Sequence, residues 1–307
     1  MKKPLLAIVG PTASGKTSLG VELALKLNGE VVSADSMLVY KYMDIGTAKP
    51  TLEEQKGIAH HLIDIKMPWE SYSAAQYQKD AKSAIEDIHK RNKLPILVGG
   101  TGLYIRSVVD KYNFDVQGED KEIRKYLHKQ VEERGKEWLY KKLCEIDPKA
   151  AEKIHPNNVR RVIRALEVYE ITSCRISDMQ NACYKSDYNL IMFGISVPRD
   201  VLYSRIEKRV DSMIEMGLFA EVKKLLEMGV SRSATSMQGL GYKEIAAYLC
   251  GEISLQRSIE LIKRNTRRFA KRQITWFRRD ERIYWIKLKD IEINTKNIIR
   301  RWKERVV

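Results

Sequence analysis

Leu5-Leu6-Ala7-Ile8-Val9 is an uninterrupted apolar run that stops at a glycine-bearing turn. A strand buried on both faces of a parallel sheet carries such a run, whereas a half-solvated strand alternates apolar and polar positions. Short β-like runs, some with a polar residue, recur at residues 30–34, 61–65, 95–98 and 190–195, and residues 282–286 add a late one. Between them the apolar period changes to that of a helix. Leu19, Leu23 and Leu27 form one stripe over residues 18–27, and a second helix is predicted over 74–91. Strands alternating with helices predict the α/β class, with a mostly parallel sheet flanked by helices.

Residues 117–187 differ in character. They are charged, helix-like in period and free of strand signals, and they begin at a polar Gly118-Glu119-Asp120 boundary. The expected organisation is a core built from 1–116 and 188–307, with 117–187 as an inserted helical domain. Residues 199–279 are again helical, with Gly217, Gly229, Gly241 and Gly251 as expected helix ends.

Composition narrows the class. Among 307 residues, 44% are hydrophobic and 31% charged, which fits a folded globular chain rather than a disordered one. No apolar run approaches the roughly 20 residues needed to cross a bilayer, and the N-terminal run is too short for a signal peptide. No membrane association and a cytoplasmic location are therefore expected. Cys144, Cys174, Cys183 and Cys250 are scattered and form no C-x-x-C pair, which argues against zinc and against a disulfide framework. His60, His61, His89, His128 and His155 show no metal-ligand spacing either. Lys and Arg number 55 against 40 Asp and Glu, a net charge of +15 that suggests a polyanionic partner without identifying it.

Gly10-Pro11-Thr12-Ala13-Ser14-Gly15-Lys16-Thr17 fits G-x-x-x-x-G-K-[ST] after a predicted strand and before a predicted helix. The glycines let successive N–H groups curl toward a phosphate, and the helix N-terminus adds positive potential. Lys16 supplies a mobile charge, and the Thr17 hydroxyl is placed to ligate Mg²⁺, the only metal expected. A P-loop NTPase-like core follows. The loop alone does not distinguish ATP from a diphosphate on another molecule. Nucleotide hydrolysis usually needs a further acidic strand end. The only candidate is Asp64 in 62–65, because 95–98 ends in Gly99-Gly100; no N-K-x-D is present. A phosphate that leaves with another group is the alternative to a small-molecule or nucleotide kinase.

Asp35-Ser36 follows the second predicted strand, and Gly99-Gly100-Thr101-Gly102 follows another. Open α/β sheets bind ligands at that carboxyl edge. A phosphate cradle, a carboxylate and a hydroxyl are thus expected in one crevice. With the phosphate loop, four segments carry a family resemblance: Ser33-Ala34-Asp35-Ser36-Met37, Met43-Asp44-Ile45-Gly46-Thr47-Ala48-Lys49-Pro50, Gly99-Gly100-Thr101-Gly102-Leu103-Tyr104 and Arg160-Arg161-Val162-Ile163-Arg164-Ala165-Leu166-Glu167. A fifth is Lys271-Arg272-Gln273-Ile274-Thr275-Trp276-Phe277-Arg278. Together they resemble the tRNA dimethylallyltransferase (isopentenyltransferase) family over nearly the whole chain.

The resemblance implies transfer of a five-carbon group from dimethylallyl diphosphate to N6 of an adenosine beside the tRNA anticodon, with release of diphosphate. It implies that residues 10–17 hold the donor's diphosphate, that Asp35 is the base and that Thr101 helps position donor and base. It further implies contacts to the tRNA anticodon loop from Asp35, Ser36, Met37, Leu38, Thr101, Arg124, Arg160, Arg161, Arg164, Gln238, Lys243, Lys271, Arg272 and Arg278. One departure stands out: Leu38 occupies a position where many members carry glutamine, so that base-edge hydrogen bond is missing here. Independently of the resemblance, residues 257–282 hold ten basic residues against three acidic ones. Arg264, Arg268 and Arg272 recur every four residues, as a phosphate-contacting helical face would require. Ile259, Ile262, Phe269 and Trp276 fall on a different stripe, suited to core packing. The chain is expected to act as a monomer.

Overall fold

The computed structural model describes residues 2–110, 120–179, 186–287 and 291–306. Six strands form one sheet: β1 (Pro4–Val9), β2 (Gly29–Ala34), β3 (His60–His61), β4 (Leu94–Gly99), β5 (Asn189–Ser196) and β6 (Ile283–Lys287). Their spatial order is β3-β2-β4-β1-β5-β6, and every pairing is parallel. Parallel neighbours require crossover connections, which place helices on both faces of the sheet. That is why the central strands read as continuous apolar runs.

Alternate strand residues serve opposite faces. On one face Leu5, Ala7, Val9, Val32, Ala34, Leu97 and Met192 join a core completed by Tyr77, Ile85, Val210, Leu218, Tyr242, Ile262 and Phe277 from the covering helices. On the other, Leu6, Ile8, Ile96, Val98 and Phe193 pack with Leu19 and Leu23 of helix Lys16–Lys26 and with Ile298 and Trp302 of helix Ile291–Val306. Each fully buried Val, Leu, Ile, Met or Phe among them stabilises by roughly 1.5–3 kcal/mol, so these two layers fix the sheet on which the site is built. Helix Ala74–Lys90 shows how local signals agree with packing. Ser73 caps it, the Gln76 side chain returns the bond to the cap amide, and Tyr77, Ala81, Ile85 and Ile88 point inward.

The strand expected over residues 61–65 is cut short after His61. Leu62 and Asp64 take φ of 65° and 56°, which turns the chain out of the sheet. The amides of Asp64 and Ile65 bond instead to the carbonyls of Leu38 and Val39, at 3.1 and 2.9 Å. Asp64 is thus not an acidic strand end; its carboxylate pairs with Lys49.

The chain divides into two compact units, Met1–Val109 with Ser186–Val307, and Asp110–Lys185. Across its described residues the second unit is helical: Lys121–Ile146, Pro148–Ala151, Val159–Thr172 and Ile176–Met179. Leu127, Leu139, Leu143, Val162, Ile163 and Leu166 form its own core. Gly135, at φ 84°, breaks the first of these helices into two segments. The boundary residues 117–119 expected from the sequence, and Cys183, lie outside the described residues. The three described cysteines are free.

Candidate active site

Residues 10–17 connect β1 to helix Lys16–Lys26. Gly15 forms the cap at φ 86°; no side chain caps the helix, and its first turn holds no acidic residue. The first amides of the helix are therefore open to an anion. Ser14 is fully buried and its Oγ has no hydrogen-bond partner. Lys16 Nζ donates to the Pro11 carbonyl at 2.6 Å. Burial lowers the Lys16 pKa to about 8, with the nearby Asp35 charge raising it and Arg209 lowering it further. Thr17 is exposed at the start of the helix.

Three adjacent strands end at one level. Register pairs Ala34 of β2 with Gly99 of β4, and Gly99 with Val9 of β1. Asp35, Gly100 and Gly10 are the next residues of the three chains. The strands approach so closely that a Cβ at Gly99 would fall 2.2 Å from the Ala34 carbonyl oxygen, which requires glycine there. Thr101 N–H donates to Ala34 O at 3.1 Å, and the Ser36 amide donates to Thr101 Oγ1 at 3.1 Å. One Asp35 oxygen accepts the Met37 amide at 2.9 Å, which folds the 35–37 turn around the carboxylate.

Arg209 and Glu221, outside the sequence expectations, and Gln273, within the 271–278 segment, complete this arrangement. Arg209, from helix Arg199–Glu215, donates to Thr47 O at 3.4 Å and is close enough to Lys16 and Asp35 to affect Lys16 and be affected by Asp35. Burial lowers the Arg209 pKa, while the charges of Asp35 and Glu54 raise it. Gln273, from helix Leu255–Phe277, reaches both the phosphate loop and the Gly100 loop. Glu221 organises the 43–50 segment: its carboxylate accepts the amides of Asp44 and Ile45 at 2.8 Å and of Gly46 at 3.0 Å, plus the Tyr242 hydroxyl at 2.6 Å. Successive amides converging on one anion form a backbone nest, here filled by a protein carboxylate. Gly46 has no Cβ because one would fall 2.5 Å from the Tyr242 ring. Lys49 closes the segment on Asp44, Asp64 and the Tyr40 carbonyl. The D-I-G-T-A-K-P run is thus the internal wiring of a loop. No local periodicity marks these partners, because they lie far away in the chain.

Ser36, Met37 and Leu38 are half-buried, and the Leu38 carbonyl is occupied by Asp64 N–H. Gln238 and Lys243 line a cleft of about 620 Å³ together with Arg232, Glu244 and Asn265. Of the ten basic residues in 257–282, Arg257, Lys263, Arg267 and Arg282 pair with Glu260, Asp211, Glu207 and Asp280. Arg268, Lys271, Arg272, Arg278 and Arg279 are exposed and form no salt bridge among the described residues. Arg264, expected on the same face, is half-buried. Ile262 and Phe277 are core residues, while Trp276 packs partly buried against the core. In the helical unit Arg160 and Arg161 are exposed. Arg124 and Arg164 both donate to Oε2 of the buried Glu167, at 2.9 and 2.8 Å.

The family model described as IPP transferase matches residues 38–280. The chain is 55% identical over 287 residues to the tRNA dimethylallyltransferase of Carboxydothermus hydrogenoformans, covering 93% of this chain and 92% of the relative. It is 53% identical to that of Acetivibrio thermocellus, covering 96% and 95%. Among solved structures it resembles the full-length tRNA isopentenylpyrophosphate transferase of Bacillus halodurans, with TM-score 0.75 and 48% identity over 99% of this chain and 97% of that one. It also resembles a eukaryotic dimethylallyltransferase acting on tRNA, with TM-score 0.83 and 32% identity over 97% and 77% of the two chains.

Proposed function

The chain belongs to the tRNA dimethylallyltransferase family, and from that premise we propose that residues 10–17, Asp35 and Thr101 form one prenyl-transfer site. The protein is an enzyme that prenylates tRNA. The observation that carries the site assignment is the common level of three neighbouring strand ends, which brings a phosphate loop, a carboxylate and a hydroxyl side by side.

The donor is dimethylallyl diphosphate and the acceptor is N6 of the adenosine adjacent to the anticodon. As the adenine N6 nitrogen bonds to C1 of the allyl group, the C1–O bond breaks and its electron pair leaves with the diphosphate. Open amides at the start of helix Lys16–Lys26, together with Lys16 and Arg209, stabilise charge growing on that leaving group. The N6 lone pair is delocalised into the ring, which makes the amino group a poor nucleophile. Asp35 takes the N6 proton as the C–N bond forms. Thr101, holding the Ser36 amide, fixes the turn that presents Asp35.

Thr17 would hold a divalent cation such as Mg²⁺, which supplies charge neutralisation on the diphosphate when bound. One exposed hydroxyl fits an ion that takes its remaining ligands from phosphate and water. Among the described residues no group of three His, Cys, Asp or Glu could hold a metal.

Exposed Lys271, Arg272 and Arg278, together with Gln238 and Lys243, are assigned to the tRNA backbone. Exposed Arg160 and Arg161 of the helical unit have the same role, and Arg124 and Arg164, both held by Glu167, are assigned to tRNA contact. Phosphate contacts of this kind position RNA without reading its sequence. Selection of the adenosine comes from extruding it from the anticodon loop into the site. Leu38 offers no side-chain hydrogen bond, so base recognition rests on Asp35 and backbone groups. One chain supplies donor cradle, base and hydroxyl, in keeping with a monomer, and a tRNA substrate is in keeping with a cytoplasmic location. No described helix is long and apolar enough to cross a membrane.

Incubation with dimethylallyl diphosphate, Mg²⁺ and unmodified tRNA, followed by mass spectrometry of the nucleosides, tests the reading. Prenylated adenosine is expected. Its absence, with ATP consumed instead, would establish a kinase.

A further inference from the structure

Gln273 is 6% exposed and lies on the inward face of helix Leu255–Phe277. Its Nε2 donates to the Gly100 carbonyl at 3.0 Å, and its Oε1 accepts the Thr12 amide at 2.9 Å. The two ends of one planar amide are thus committed to the two loops of the site. We propose that Gln273 is a positioning residue for prenyl transfer, setting the spacing between the diphosphate cradle and the loop that presents Thr101. The inference rests on the reading of residues 10–17 as the donor cradle.

The fit is close on every side. A Cβ at Gly100 would fall 2.3 Å from Gln273 Nε2, so the loop reaches the amide only because residue 100 has no side chain. One turn on, Trp276 grips the same loop, since a Cβ at Gly102 would fall 2.2 Å from its ring. Lys271, Arg272 and Thr275 of the same helix are exposed on the other side. The bond to the Gly100 carbonyl is buried and the one from the Thr12 amide is partly buried, so leaving the Gly100 carbonyl unpaired would be costly and freeing the Thr12 amide less so. The loops therefore have one favoured separation.

That separation matters because the two loops bear on opposite ends of the bond exchange. The cradle holds the leaving oxygen, and the Thr101 loop, through Ser36, holds the base that serves the attacking nitrogen. A misplacement of about 1 Å between reacting groups can cost on the order of 100-fold in rate. Both polar ends of Gln273 are taken by the two loops, so contact with the donor's carbon or the acceptor nitrogen is not expected, and of the cradle's amides it holds that of Thr12. Its loss should thus appear in the chemical step and not in binding.

Gln273→Met keeps length and removes both hydrogen bonds; Gln273→Glu keeps the acceptor toward Thr12 and sets a carboxylate oxygen against the Gly100 carbonyl. The measurements are steady-state transfer from dimethylallyl diphosphate to unmodified tRNA, calorimetric binding of inorganic diphosphate, tRNA binding, and thermal unfolding. For Q273M we expect kcat to fall about 10- to 100-fold, with diphosphate and tRNA affinities within about threefold. For Q273E we expect a fall at least as large, with a raised KM for the donor. Should Q273M fail to fold, Q273E carries the test alone. A kcat within twofold of wild type per folded molecule, or a loss that tracks only the unfolded fraction, overturns the proposal. If wild-type protein itself transfers no prenyl group, the functional reading fails and this inference with it.

Discussion

The Ser36 amide donates to Thr101 Oγ1 at 3.1 Å, so the end of β4 holds the turn that follows β2. Thr101 thereby acts on Asp35 through backbone. Thr101→Ala leaves that amide without its acceptor and loosens the turn. We expect kcat to drop about 10- to 100-fold, tRNA affinity to stay within twofold, and Thr101→Ser to retain most of the rate. Steady-state kinetics with saturating tRNA decides it; an unchanged T101A kcat would remove Thr101 from the mechanism.

In the proposed reaction Asp35 has the more direct task of accepting the N6 proton. Asp35→Asn cannot act as a base, and Asp35→Ala removes the group altogether. Turnover should fall by at least about 10²-fold in either variant, while filter binding shows tRNA affinity nearly intact. An active D35A would show that Asp35 is not the base.

Lys16 gives the site a pH signature. Its pKa of about 8 means it is charged below that pH and neutral above it. Affinity of the free protein for inorganic diphosphate should therefore weaken as pH rises through 8, by up to about tenfold per unit from this one proton. The diphosphate also titrates, so the comparison is with Lys16→Met, which shares the ligand's ionisation and lacks the lysine's. Parallel profiles for the two proteins would refute the assignment. For stability the sign is opposite. A lysine whose folded pKa lies below 10.5 burdens the ligand-free fold while charged, and that burden lifts as pH rises from 8 toward 10.5.

Glu221 satisfies three backbone amides and the Tyr242 hydroxyl. Glu221→Ala should destabilise the protein by about 2 kcal/mol, with Glu221→Gln intermediate because one of its two oxygens remains. Urea denaturation measures both. Gly46→Ala should behave like E221A, because its methyl group would meet the Tyr242 ring.

Among the basic residues, the structure separates those already paired from those open to a polyanion. Lys271→Ala and Arg272→Ala should each lower the slope of log affinity for tRNA against log salt by about one. Arg267→Ala should change the slope little, since Arg267 is paired with Glu207. Equal effects from all three would mean that the ion pair does not shield Arg267 from the RNA.

Much of this was readable in the linear chain because the governing physics is local. Strands β1, β4 and β5 are buried over most of their length, so their centres are continuous apolar runs whichever neighbours they have, while β2 also buries Glu30 and Ser33. The phosphate loop is legible because the need for amides to converge fixes glycines at set spacing within eight residues. The candidate roles of Asp35 and Thr101 came from resemblance combined with position after predicted strands. The register of Ala34 and Val9 with Gly99 puts them beside the loop.

Tertiary structure decided what distance in sequence conceals. Residues 62–65 have strand composition, yet Leu62 and Asp64 turn left-handed because the amides that follow find carbonyls at Leu38 and Val39. Gln273 reaches Thr12 across 261 positions, and Glu221 reaches Asp44 across 177. A polar side chain in a helix looks the same in sequence whether it faces water or bridges two loops. The chain alone therefore determined a parallel α/β core with a phosphate loop. Which buried polar groups hold that loop against Thr101 and Asp35 was decided only by folding, because each of those bonds depends on two distant segments meeting at one sheet edge.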